Sequence, residues 1–114
     1  MKRVLTDYAA DLFEAVSDIT EFVSGLTYEQ FAADKKTVNA VIRSLEVLGE
    51  AAKKMPEEVK ARHPDIPWKQ MAGMRDKLIH EYHGVDNEIV WTVATRELPA
   101  LRQAIERLRD ELNP

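Results

Sequence analysis

Apolar residues recur every three or four positions along this chain, and no segment alternates at the two-residue period of a strand. Leu5, Tyr8, Leu12, Val16, Ile19, Phe22 and Leu26 set the pattern. It is the pattern of an amphipathic helix from about residue 3 to 24, ended by Gly25. Thr27 to Phe31 then suggests a short helical turn, with Thr27 as its cap and Gln30 closing a capping box. Asp34 is an N-cap for a second long helix over about 35–55, whose stripe is Val38, Val41, Ile42, Leu45, Leu48, Ala52 and Met55. Pro56 fits the first turn of a short helix through Arg62, with Glu57 and Glu58 near its positive end. The run His63-Pro64-Asp65-Ile66-Pro67 is a rigid connector, because each proline biases its predecessor toward extended geometry. A third major helix starts near Pro67 and runs to about His83, where Gly84 stops it. Asp86 caps a fourth, from about 87 to about 112, and Pro99 is expected to kink or break it near Leu98. Connectors are short and no internal repeat appears. The expectation is one all-α domain over residues 1–114, an up-down bundle of four to five helices.

Composition narrows the setting. With 114 residues, 45% hydrophobic and 32% charged, the chain suits a soluble helical domain with one modest core. It has no cysteine, which removes disulfide and thiolate chemistry and makes a reducing cytoplasm the default compartment. Basic residues at the start are followed by Asp7, Asp11 and Glu14 and not by an apolar run, so neither a signal peptide nor a membrane span is expected. The net charge of -4 is unevenly spread: residues 1–34 balance at -5, residues 35–80 at +4 and residues 81–114 at -3. A basic centre of that kind leaves room for a local phosphate-binding surface, although helical proteins scatter charge and such a segment also arises by chance.

The chemistry-bearing residues fall inside that basic centre. Arg75, His80 and Tyr82 stand as Arg-x4-His-x-Tyr near the end of the third major helix. A guanidinium holds a phosphate with a fork of donors and stays charged at any relevant pH, while a histidine passes protons near neutrality. Those two groups suffice for cleaving RNA without a metal. Five residues on a helix turn through about 140°, so Arg75 and His80 do not share a face. Ordinary surface pairs, such as Asp76 with His80 and Lys77 with Glu81, would explain part of the string. A complete site becomes reasonable where helix ends from two chains meet. The small pair Ala72-Gly73, one turn earlier, would let another helix approach closely, or would serve packing within the bundle. On the second long helix Asn39, Arg43, Glu46 and Glu50 lie within about 60° of one another. They are either a solvated face or the lining of a site or subunit contact.

The run from Trp68 to Tyr82, WKQMAGMRDKLIHEY, resembles the signature of the HEPN superfamily, specifically its HepT-like branch. Arg43 to Ala52, RSLEVLGEAA, is similar to that branch's second-helix motif, and His63 to Trp68 and Gly84 to Trp91 match its flanks. The resemblance covers nearly the whole chain in order. It implies a HEPN-like, dimeric, all-helical toxin that cleaves RNA, paired with a small nucleotidyltransferase antitoxin in a toxin–antitoxin complex. The catalytic roles transfer to Arg75 and His80. The role of a tyrosine that the antitoxin silences by AMP modification transfers to Tyr82. Where the family often has asparagine this chain has Asp76, whose charge beside a phosphate site would lower activity. His83 stands where an aromatic residue is common.

The expected reaction is metal-independent transesterification with no cofactor. His80 takes a ribose 2′-hydroxyl proton, Arg75 stabilises the phosphoryl oxygens, and a second chain's His80 protonates the leaving 5′-oxygen. DNA, lacking that hydroxyl, would not be cut. Expected partners are thus RNA, the antitoxin and a second copy of the chain, with Asp76, Arg43, Glu46 and Glu50 supporting the cleft. Two other readings remain. One is a catalytically inactive HEPN-like interaction module. The other is a metal-dependent bundle hydrolase using His80 and His83 with Glu46 or Glu50, although the paired Glu-x-x-His motifs of such sites are missing.

Overall fold

The computed structural model describes residues 4–80 and 84–113, the side chains of Ile79 and His80 excepted. Among the described residues there are seven α-helices: α1 (Leu5–Val23), α2 (Tyr28–Ala33), α3 (Lys35–Lys54), α4 (Glu57–Arg62), α5 (Trp68–His80), α6 (Asn87–Thr92) and α7 (Leu98–Leu112). A π-helical turn, Val93–Glu97, joins the last two into one rod. The expected all-α, up-down bundle is therefore built from four rods, with α2 and α4 as short links. None of the described helices is long and apolar enough to cross a membrane.

Local chemistry sets the boundaries. Gly25, at φ 76°, adopts the left-handed conformation that ends α1. Thr27 and Gln30 exchange the two hydrogen bonds of a capping box, at 3.1 and 2.9 Å. Asp34 accepts from the Thr37 amide at 3.3 Å and its hydroxyl at 2.7 Å, and these bonds hold its carboxyl below the usual aspartate range. Asp86 caps α6 by accepting from the Glu88 and Ile89 amides. Pro56 stands at the N-cap of α4, one place before its first turn.

Pro99 departs from expectation. The backbone does not break at Leu98; it widens before the proline. The Leu98 amide donates five residues back to the Val93 carbonyl, and Pro99 sits in the first turn of α7. The wide turn absorbs the missing donor and the ring's steric demand, so one rod continues where a regular α-helix would have kinked.

The core forms along α1, which packs against α3 on one side and α7 on the other, while α5 lies chiefly against the far side of α3. Leu12, Val16, Ile19, Val41, Leu45, Ile105 and Leu108 are at its centre, and no charged or polar side chain among the described residues is buried with them. Phe22, counted in the apolar stripe of α1, is 37% exposed, and Val23 is buried instead. From Ile19 a four-residue step returns close to the buried face, whereas a three-residue step falls about 60° short of it. The connector ahead of α5 is pinned at both ends. The Trp68 indole donates to the His63 carbonyl at 3.0 Å, and Arg107 of α7 reaches Asp65 at 3.3 Å. That pinning fixes where α5 begins, and with it the position of every polar residue along the helix.

Candidate active site

Gly49, in the middle of α3, decides how closely α5 can lie. A Cβ added there would run into the Arg75 Cβ and stand 2.8 Å from the Met71 carbonyl oxygen. Only a hydrogen fits between the two helices at this level. The close approach within the bundle, one of the two roles the sequence allowed for Ala72-Gly73, is thus made by Gly49 instead. Gly73 is exposed, with open space around the position of a Cβ, and serves no internal packing. Gly49 was not singled out by the sequence; the signal that could have found it is a lone glycine inside a strong helical stripe.

The close crossing puts the Arg75 guanidinium against α3. Its Nη2 lies 3.0 Å from Glu50 Oε2 and its Nη1 3.2 Å from Asp76 Oδ1, with the side chain 27% exposed. Asp76 Oδ1 is shared with Lys53 Nζ at 3.6 Å. A cleft of about 330 Å³ opens beside this cluster. Arg43, Glu46 and Glu50 form its α3 wall, Tyr8 and Asp11 face it from α1, and Arg75 enters from α5. The polar cluster read from α3 thus lines a cleft with Arg75; Asn39 is exposed outside it. Lys53 was not singled out by the sequence, because its relation to Asp76 crosses between helices and leaves no spacing to detect.

The helix that carries Arg75 remains regular through His80, so the register keeps the two residues roughly 140° apart around its axis. The His80 side chain, Tyr82 and His83 lie outside the described residues, as does the expected run of α5 from Glu81 to His83.

Asp76 has a defined electrostatic state. The hydrogen bond from Arg75 is the largest influence and, with the charge of Lys53, holds the carboxyl below the usual aspartate range against the opposing effect of desolvation. A depressed folded-state pKa contributes stability present above the unfolded value, which is lost as pH falls through the folded value. The carboxylate therefore remains negative around neutral pH, and mild acid does not release Arg75 from it. Substitution does. Asp76→Asn is expected to tighten binding of an oligoribonucleotide several-fold at low salt, with the gain shrinking as salt screens the removed repulsion. Fluorescence anisotropy at two salt concentrations reads this out, and unchanged or weaker binding by the variant would refute it.

The family model described as ribonuclease HepT-like matches residues 12–108. A Thermococcus cleftensis protein with the name "Probable ribonuclease HepT" is 49% identical over 109 residues, covering 96% of this chain and 99% of that protein. A Methanocaldococcus jannaschii protein named as an RNase is 43% identical over 107 residues, covering 94% and 88%. One from Caldanaerobacter subterraneus, also named as an RNase, is 40% identical over 101 residues, covering 89% and 90%. No solved structure matches the chain.

Proposed function

Because the chain belongs to the HepT-like ribonuclease family, we propose that it is the toxin of a toxin–antitoxin pair, a metal-independent endoribonuclease that acts as a homodimer in the cytoplasm. A nucleotidyltransferase antitoxin silences it by placing AMP on Tyr82. The observation that carries this reading is the placement of Arg75. Its guanidinium is held at a cleft by Glu50 at 3.0 Å, on the helix that presents His80 five residues later.

Neutral His80 accepts the proton of a ribose 2′-hydroxyl, and the 2′-oxygen attacks the adjacent phosphorus. The bond from phosphorus to the 5′-oxygen breaks, and that oxygen takes a proton from His80 of the second copy. The products are a 2′,3′-cyclic phosphate and a free 5′-hydroxyl. Each proton transfer is worth roughly 10²–10⁴ in rate. Arg75 exchanges a carboxylate for the phosphoryl oxygens, on which negative charge grows in the transition state. Register supports a second copy, since five residues along α5 turn through about 140° between Arg75 and His80. A dimer contact is supported between α5 and the start of α6, where Met74, Leu78, Val85 and Ile89 line a pocket of about 180 Å³ and Ile89 is 41% exposed. AMP on Tyr82, a bulky anion close to His80 in sequence, would repel the substrate's phosphates and occlude the cleft.

The test is cleavage of a mixed-sequence RNA by purified protein in EDTA, beside His80→Ala, after intact mass has shown the protein to be free of AMP. Cutting is expected to survive the chelator, leave cyclic phosphate ends, spare DNA and vanish in the variant. An AMP-free protein that cuts nothing would replace this reading with the inactive interaction module, whereas a His80→Ala protein that still cuts would remove His80 from the chemistry.

A further inference from the structure

On the far side of Asp76 from the cleft, an open groove of about 930 Å³ runs between α4 and α5. Its wall carries Lys53, Lys60 and Lys69 against Glu57, Asp65 and Asp76. Counting charges makes it neutral, but the partners do not. Glu57 is matched by Lys60 at 3.6 Å. Asp65 is matched from outside the groove by Arg107 at 3.3 Å, and Asp76 is matched by Arg75 at 3.2 Å. Two cations are left over. Lys69 is exposed and makes no ion pair with any described residue. Lys53 is half exposed, and its described partner is the same Asp76 oxygen that Arg75 already holds. It can leave that carboxylate without stranding a negative charge.

We propose that this groove binds the RNA strand flanking the scissile phosphate, with Lys53 and Lys69 contacting successive backbone phosphates. The inference rests on the RNA substrate of the reading above. Asp76 joins the groove to the cleft: it lines the one and touches the Arg75 guanidinium of the other, so a strand with one phosphate on Arg75 continues directly onto Lys53. Gly73, with nothing within 4 Å of a Cβ position, leaves the groove clear for a sugar–phosphate chain. The aromatic residue of the groove is not a stacking platform, because Trp68 is 8% exposed and its indole is committed to the His63 carbonyl. Recognition here is by phosphate, which gives affinity and register without base preference.

The test is anisotropy of a labelled 2′-O-methyl oligoribonucleotide, which the proposed chemistry cannot cut, titrated with full-length protein across a salt series. Lys53→Gln/Lys69→Gln is expected to bind about tenfold more weakly. Its plot of log affinity against log salt should be shallower by roughly 0.7 for each phosphate that is no longer neutralised. Lys69→Gln alone breaks no ion pair and should show half of that change in slope. The matched pair Lys35→Gln/Lys36→Gln, at the exposed start of α3, removes the same charge and should leave the slope at the wild-type value. On cleavable RNA the groove variants should raise KM and keep kcat. Groove variants that match the α3 pair in affinity and slope overturn the proposal, as does wild-type protein that binds no RNA. Persistent cutting by His80→Ala would instead overturn the catalytic reading alone, since binding in the groove does not depend on His80.

Discussion

Arg75→Ala is expected to lower the single-turnover rate of RNA cleavage by about 10²–10³-fold, the range seen when one preorganised donor to a developing oxyanion is removed. Stability should hardly change. The ion pairs that Arg75 makes with Glu50 and Asp76 involve carboxylates 42% and 47% exposed, and pairs of that kind contribute about 0–1 kcal/mol. The two effects therefore separate cleanly: a large loss of rate with a melting temperature close to that of the wild type. Arg75→Lys sharpens the distinction. It keeps the charge but replaces a planar fork by a point charge on a flexible stem, so it should recover RNA binding more than rate. Rates in EDTA, measured beside thermal melts for the three proteins, decide the matter. An Arg75→Ala enzyme that cuts at the wild-type rate would remove Arg75 from the chemistry. One that unfolds would show that its role is structural.

The bundle was readable because its elements are bounded by local chemistry. Thr27, Asp34 and Asp86 cap helices through side chains within three residues of the amides they satisfy, and such spacing is visible in any sequence. The stripes of α1 and α3 are set by the helical period for the same reason. What escaped was every feature that depends on two elements meeting. The widened turn before Pro99 needs knowledge of how α6 and α7 are both held against the core. The cluster of Arg43, Glu46 and Glu50 was visible as a helix face, but that it lines a cleft depends on Arg75 arriving from α5. The path of Arg75 was in turn set by Gly49, whose close contact lies 26 positions away in the chain. Spacing along one helix showed that Arg75 and His80 diverge. It held no information about which carboxylate, or which lysine, would stand beside the guanidinium.

Gly49 yields the second large effect. A methyl group at this position meets the Arg75 Cβ, the Met71 carbonyl oxygen at 2.8 Å and the Arg75 Cγ at 3.0 Å. These atoms are backbone or the root of a side chain, so no rotamer change clears them, and the helices themselves must part. Gly49→Ala gains about 1 kcal/mol of intrinsic helix propensity and loses about 1–3 kcal/mol to overpacking. A net destabilisation and a fall in melting temperature are expected. Gly73→Ala supplies the contrast. It makes the same exchange on α5 in open space, incurs no overpacking, and should raise the melting temperature. The catalytic consequence of Gly49→Ala should exceed the thermodynamic one. Parting α3 from α5 moves Arg75 relative to Glu50 and the cleft, and a displacement of about 1 Å in a reacting constellation can cost on the order of 10²-fold in rate. Gly49→Val should lose both properties further. A Gly49→Ala protein that melts higher than the wild type and cuts RNA at the same rate would mean that the α3–α5 crossing neither limits the fold nor positions Arg75. If instead rate falls far more than stability, the smallest residue of α3 is what holds the arginine in place.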